Sequence, residues 1–175
     1  MFSPPALITS CHDVRNFDCG NTALNEFLTK YALSNTSAGI ARTYVTTPLD
    51  QLTVVGYFSI AAGSVERATV PKRVAKGTPQ HPIPVALLAR LAVDSKFQGQ
   101  KIGPGLLKQA MLKILEASRV IGIRAVLVHA KNQQAADFYA KYGFVPSPIN
   151  SFHMMLLMKD VIKSVESKLG EGPQQ

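Results

Sequence analysis

The segment Gln98-Gly99-Gln100-Lys101-Ile102-Gly103-Pro104-Gly105 combines features that together can hold an anion. Its glycines let the backbone turn tightly. Beyond them Leu106, Leu107, Ala110, Met111, Ile114 and Leu115 recur at helical spacing. A glycine turn feeding a helix leaves backbone N–H groups unpaired and presents the positive end of the helix dipole. The segment therefore predicts a turn over Gln98–Gly103 and a phosphate-binding helix start at about Pro104. Pro104 suits a first helical turn, where its missing N–H loses nothing. Upstream, Leu91-Ala92-Val93 reads as the end of a buried strand. A Walker A loop, Gly-x-x-x-x-Gly-Lys-Ser/Thr, is absent. The dinucleotide fingerprint fails because Gly103-Pro104-Gly105 lacks the third glycine. An ordinary helix start, with glycines serving turn geometry alone, stays open.

A second segment narrows the choice. Asn132-Gln-Gln-Ala-Ala-Asp-Phe-Tyr-Ala-Lys-Tyr-Gly-Phe144 follows a strand-like run at Ala125–Ala130. It resembles the signature N-x-x-A-x-x-F-Y-x-x-x-G-F of the GNAT N-acetyltransferases. Gln98–Gly103 resembles that family's pyrophosphate loop, Gln/Arg-x-x-Gly-x-Gly/Ala, with Lys101 standing where the family has its first glycine. Asn16–Leu28, Ala41-Arg-Thr-Tyr-Val45 and Val55-Gly-Tyr-Phe-Ser59 are similar to the N-terminal half of the GNAT toxins of toxin–antitoxin modules. The resemblance spans roughly residues 14 to 160.

That resemblance implies the α/β (α+β) GNAT acyltransferase fold, a mixed central sheet with helices on both faces, and acetyl-CoA as cofactor. It assigns cofactor binding to Leu91, Ala92, Val93, Gln98, Gly99, Gln100, Lys101, Ile102, Gly103, Pro104, Gly105, Asn132 and Phe138. Tyr139 would protonate the departing thiolate, and a tyrosine near pKa about 10 is protonated at neutral pH. Read on residue types alone, Phe138, Tyr139 and Tyr142 are an aromatic stripe at helical spacing, which is usually core. Asn132 suits a helix cap or a partner of the pantetheine arm, and these roles are compatible. Lys101 is tolerable if the backbone there is already helical and its ammonium points outward to the nucleotide phosphates. Otherwise it weakens coenzyme binding.

The acceptor follows from acid–base chemistry. A lysine amine, pKa about 10.4, is neutral in well under one molecule per thousand at pH 7 and benefits from a protein base. An α-amino group, pKa about 7.7 to 8.0, is neutral to roughly ten per cent. The chain has only 11 acidic residues against 19 basic ones, net +8, and offers no evident paired carboxylates. This suits an α-amino acceptor such as aminoacyl-tRNA, the toxins' substrate, and a basic chain suits a polyanion. Arg42, Arg67, Lys72, Arg73 and Lys76 are the candidate RNA contacts, with only Glu66 opposing the cluster from Arg67 to Lys76. Two other readings stand beside this one: a GNAT enzyme for a small-molecule or protein amine, and a non-catalytic acetyl-CoA or RNA-binding module. The resemblance further implies a small ribbon-helix-helix antitoxin and a homodimer.

These residues need elements to position them. At 175 residues the expectation is a single domain over 1–175, its tail frayed over 170–175. Hydrophobic content of 46% with 17% charged residues excludes a disordered chain. No apolar run is long enough to span a membrane, and Met1-Phe-Ser-Pro-Pro lacks the marks of a signal peptide, so the reading is cytoplasmic. Cys11 and Cys19 could form a disulfide, but two free thiols are the preferred reading. His12, His81, His129 and His153 form no metal-spaced cluster, and no metal is expected. Asn21 reads as a helix cap, with Leu24, Phe27, Leu28 and Tyr31 on one face. Strands are expected at Tyr44–Thr47 and Thr53–Ala61, joined by a turn at Pro48–Gln51. A long connection runs over Thr69–Pro84. A strand at Val85–Val93 should be buried on both faces apart from Arg90. A helix to about Ser118, a strand at Ala125–Ala130, a helix at Gln133–Tyr142, a strand at Ser151–Met158 and a helix at Val161–Leu169 complete the order.

Overall fold

The computed structural model describes residues 1–170. The strands are β1 (Ala6–Leu7), β2 (Arg42–Thr46), β3 (Gly56–Val65), β4 (Ile83–Val93), β5 (Ala125–His129), β6 (Val145–Pro146) and β7 (His153–Leu157). The helices are α1 (Thr22–Glu26), α2 (Ala32–Ser37), α3 (Lys72–Ala75), α4 (Ile102–Ser118), α5 (Gln133–Ala140) and α6 (Met158–Gly170). The strands form one mixed seven-stranded sheet in the order β1-β2-β3-β4-β5-β7-β6. Of the tail expected at 170–175, Gly170 closes α6 and the rest lies outside the described residues.

The chain divides into two compact units. The first is Met1–Ala61 with Leu88–Ala110. Its core gathers Ile8, Phe17, Phe27, Leu28, Ala32, Val45, Val54, Tyr57 and Ala92. Antiparallel β2 and β3 are registered Thr46 to Gly56, and their connection turns where Gln51 N–H donates to Pro48 O. Thr43 and Val45 are buried on one face of β2; on the other Arg42 is exposed, Tyr44 stacks half-buried on Phe58 and Thr46 is buried, so the strand is covered on both sides beyond its first residue. A Cβ on Gly56 would stand 3.0 Å from Leu106 Cδ1 and 3.3 Å from Ile102 Cγ2, so glycine is what lets α4 approach β3 this closely. Asn21 caps α1 by accepting from Leu24 N–H. The helix does not continue regularly: Phe27–Tyr31 form a π turn. The extra residue in that turn rotates the face, so Phe27 and Leu28 stay buried but Tyr31, expected beside them, is 54% exposed.

The second unit is Ala62–Leu87 with the chain from Met111. Val70, Val74, Ile83, Val85, Ala125, Leu127, Met155 and Leu157 form its core. β5 and β7 pair antiparallel, Ala125 opposite Leu157 and His129 opposite His153. Asn132 caps α5 by accepting from Ala135 N–H at 2.9 Å. That helix ends at Ala140 rather than Tyr142, because Tyr142 and Gly143 N–H donate back to Tyr139 and Ala140 and tighten the last turn. Gly143 then leaves it at φ +89°, a left-handed conformation glycine adopts without strain.

β4 begins at Ile83, earlier than Val85. Pro84 donates nothing to a ladder, but its carbonyl accepts from Arg124 N–H at 2.9 Å. Nor is β4 buried on both faces. Pro84 is exposed, and Leu87, Ala89, Leu91 and Val93 are half-buried like Arg90.

Candidate active site

The glycine turn in the first unit is wound more tightly than its residue pattern suggests. Helix α4 starts at Ile102, so Ile102 and Gly103 are helical and Pro104 is its third residue, still within the first turn. Gly99 has φ +79° and Lys101 has φ +62°. Lys101 is therefore not in helical backbone, the condition set for tolerating a side chain there. It occupies the left-handed region that glycine fills at no cost, which is why a glycine there would be the natural choice. Its side chain is exposed. The backbone N–H groups of Gly99, Gln100, Lys101, Ile102 and Gly103 donate to no other described residue. Open amides at the start of a 17-residue helix, beside a lysine, suit a pyrophosphate.

The turn is braced from upstream. Gln98 Nε2 donates to Val93 O at 3.0 Å and Cys19 O at 3.4 Å, joining the strand end to the N-terminal segment. Asp94, 6% exposed, accepts from Lys96 N–H and Asp18 N–H, each at 3.0 Å. Ser95 N–H and its hydroxyl both donate to Asp18 O at 2.8 Å. Asp94 and Asp18 are absent from the sequence-derived site. The available signal was an Asp directly after a buried strand, where its side chain can accept from the second N–H onward. Asp94 N–H itself donates to Val55 O, so it is not available to a substrate carbonyl.

In the second unit Tyr139 projects from α5 and is 8% exposed. Phe138 and Phe144 meet its ring edge-on at 5.2 and 5.4 Å. Burial pushes its hydroxyl up to about 12, so it stays protonated throughout the neutral range. No described residue hydrogen-bonds that hydroxyl, and among the described residues no sealed side-chain polar atom lacks a partner. The ring is core, and its hydroxyl is not sealed from solvent, so a place in the aromatic stripe leaves the proton accessible. Phe138 is half-buried and Tyr142 is exposed. His129 stacks on His153 with ring centroids 4.1 Å apart. Its pKa is lowered by burial and then by that neighbour. Among the described residues no group of three potential ligands could hold a metal, and no helix is long and apolar enough to cross a membrane. Cys11 and Cys19 are free thiols.

The basic segment contains two kinds of cation. Arg67 is half-buried and donates to Thr78 Oγ1 and Ala75 O, so it holds the chain rather than facing solvent. Arg73 forms a two-pronged pair with Asp160 of α6, at 2.8 and 3.1 Å. Glu66 is thus not the only opposing charge. Asp160 lies too far along the chain for local charge counting to find it. Lys72 and Lys76 are exposed, and their side-chain ammonium groups donate to no described residue. Arg124, also missed, supports the segment from below: Nε donates to Val74 O at 3.0 Å and Nη2 to Lys76 O at 2.7 Å. Arg42, in the first unit, is exposed and donates to Thr36 O.

Residues 53–146 match the family model described as an acetyltransferase (GNAT) domain. The chain is 43% identical over 159 residues, 91% of its own length and 94% of the relative's, to a tRNA-acetylating toxin of Mycobacterium tuberculosis. Its structure resembles AtaT complexed with acetyl-methionyl-tRNAfMet, with a TM-score of 0.85 and 32% identity, covering 97% of this chain and 99% of that one. It also resembles a tyrosine-to-phenylalanine variant of the AtaT toxin bound to the C-terminus of the antitoxin AtaR and acetyl-CoA. There the TM-score is 0.80 and the identity 28%, covering 94% of this chain and 98% of that one.

Proposed function

Since the chain belongs to the GNAT acetyltransferase family, we propose that it moves acetyl from acetyl-CoA to the α-amino group of an aminoacyl-tRNA, blocking translation as the toxin of a toxin–antitoxin pair. The observation that carries this reading is the near end-to-end match to a tRNA-acetylating toxin, in a chain that keeps both the amide-lined turn and a protonated tyrosine. The whole chain acts as one acetyltransferase domain in the cytoplasm, as a homodimer, with a small ribbon-helix-helix antitoxin as partner.

Acetyl-CoA supplies an activated thioester. The amides of Gly99 to Gly103 and the Lys101 ammonium take its pyrophosphate. Gln98 and Asp94 hold that turn to the strand end, and Pro104 and Gly105 continue it into α4. Leu91, Ala92 and Val93 border the acyl group, with Asn132 and Phe138 along the pantetheine arm. Tyr139 donates its proton to the departing sulfur. The acceptor α-amine needs no strong base, because a useful fraction is neutral near pH 7. Lys72, Lys76 and Arg42 contact the RNA backbone, Arg73 joins them when it leaves Asp160, and Arg67 supports from within. A small cationic amine fits a +8 chain poorly, and a non-catalytic role leaves the Tyr139 hydroxyl without purpose.

The test is incubation of total charged tRNA with labelled acetyl-CoA. Label should appear in the aminoacyl-tRNA and be released by mild base as an N-acetylamino acid. Label entering only proteins or free amines would overturn the reading.

A further inference from the structure

Arg90 has no part in the chemistry above, yet its setting is unusual. It lies on β4 on the same side as Ala92, a member of the first unit's core. Its guanidinium carbon sits 3.8 Å from the centroid of the Phe27 ring. That ring is 3% exposed and stacked on Tyr57 at 6.1 Å. Contact with the ring face satisfies the flat face of the guanidinium and none of its N–H donors. Arg90 is half-buried, and its side chain makes no hydrogen bond or ion pair with any described residue. The other half-buried guanidiniums, Arg67 and Arg124, are tied to carbonyl or hydroxyl oxygens. A partly desolvated cation with an unused, fixed donor edge is matched in shape to a phosphate.

We propose that Arg90, held flat on Phe27, is the residue that grips a phosphodiester at the acyl-bearing end of the RNA substrate. The proposal rests on the aminoacyl-tRNA reading above and names a contact within it. The coenzyme's phosphates are the less suitable occupant. The open amides of residues 99–103 already provide for the pyrophosphate. The end of an RNA chain is single-stranded, so its phosphates are reachable one at a time by a fixed fork. Holding one of them sets how far the ester-linked amine reaches toward the thioester.

The experiment compares two minimal acceptors: an aminoacyl ester of adenosine, which has no phosphodiester, and the same ester on cytidylyl-adenosine, which has one. In the wild type the dinucleotide should have the lower KM. Arg90→Gln should raise KM for the dinucleotide and for charged tRNA by about tenfold or more, the scale of a lost charge-assisted pair. It should leave KM for the adenosine ester, kcat and acetyl-CoA affinity unchanged. Arg90→Lys should recover part of the loss, because an ammonium keeps the charge without the fork. Equal KM for wild type and Arg90→Gln on the dinucleotide would overturn the proposal. So would an equal loss on both acceptors, which would point to base stacking or a structural role. A loss of acetyl-CoA affinity in both variants would assign Arg90 to the coenzyme instead. A wild type that acetylates neither acceptor nor charged tRNA would refute the function itself, a distinguishable result.

Discussion

Lys101 sets stability against binding at one residue, and the two can be measured apart. At φ +62° an L-residue carries roughly 1–2 kcal/mol of left-handed strain. Lys101→Gly removes that strain, and the freer unfolded chain returns about 0.5–1 kcal/mol. The net expectation is a gain of about 0.5–1 kcal/mol. For a domain of this size that is roughly 1 to 4 °C in melting temperature without acetyl-CoA. Lys101→Ala keeps the strain and should melt with the wild type. Both variants lose the ammonium beside the open amides, so both should bind acetyl-CoA about fivefold more weakly by calorimetry, the effect of one solvent-exposed charge. Lys101→Glu should be weaker again. The differences among the variants should shrink in concentrated salt, where exposed charges are screened. A glycine variant no more stable than the alanine one would refute the strain argument. Equal acetyl-CoA affinity in wild type, Gly and Glu variants would show the charge to be idle.

Tyr139→Phe keeps the buried ring and removes the hydroxyl. Turnover should fall by about 10²- to 10⁴-fold with acetyl-CoA affinity little changed, and growth arrest on expression should disappear. Because burial raises the Tyr139 hydroxyl to about 12, the wild-type rate should climb as the acceptor amine deprotonates and show no descending limb up to about pH 10. A fall between pH 8 and pH 10 would contradict that acid. Asp160→Asn releases the Arg73 guanidinium and should tighten charged tRNA severalfold in a KM measurement; unchanged KM would mean Arg73 stays out of the RNA contact. Reversing both Lys72 and Lys76 to Glu should weaken tRNA binding and flatten its dependence on salt, as read by anisotropy titrations across ionic strength. A salt slope equal to the wild type's would remove them from the interface.

Local signals carried much of this fold. Asn21 and Asn132 each stand where a helix must begin, and both accept the N–H three residues on, as caps do. The turn before α4 was legible because glycines and helical spacing agree. The φ of Lys101 was not, because lysine carries no preference for that region and only the surrounding chain imposes it. Tyr31 was misplaced because apolar spacing assumes a regular helix, and nothing in Phe-Leu-Thr-Lys-Tyr announces a π turn. The Arg73–Asp160 pair joins residues 87 positions apart, beyond any local count of charge. Asp94 looks like an ordinary polar residue after a strand until the chain folds and buries its carboxylate between two backbone donors.

The segment bearing Lys72 and Lys76 is fastened through its carbonyls: Arg124 takes those of Val74 and Lys76, and Arg67 takes that of Ala75. Every amino acid has a carbonyl, so this grip is indifferent to which side chains the segment displays. Mutation can therefore rewrite its outward lysines while the scaffold beneath stays as it was. A surface so held can exchange its displayed charges in single steps without disturbing its support, whereas a change at Arg124 would remove two of its three carbonyl ties at once.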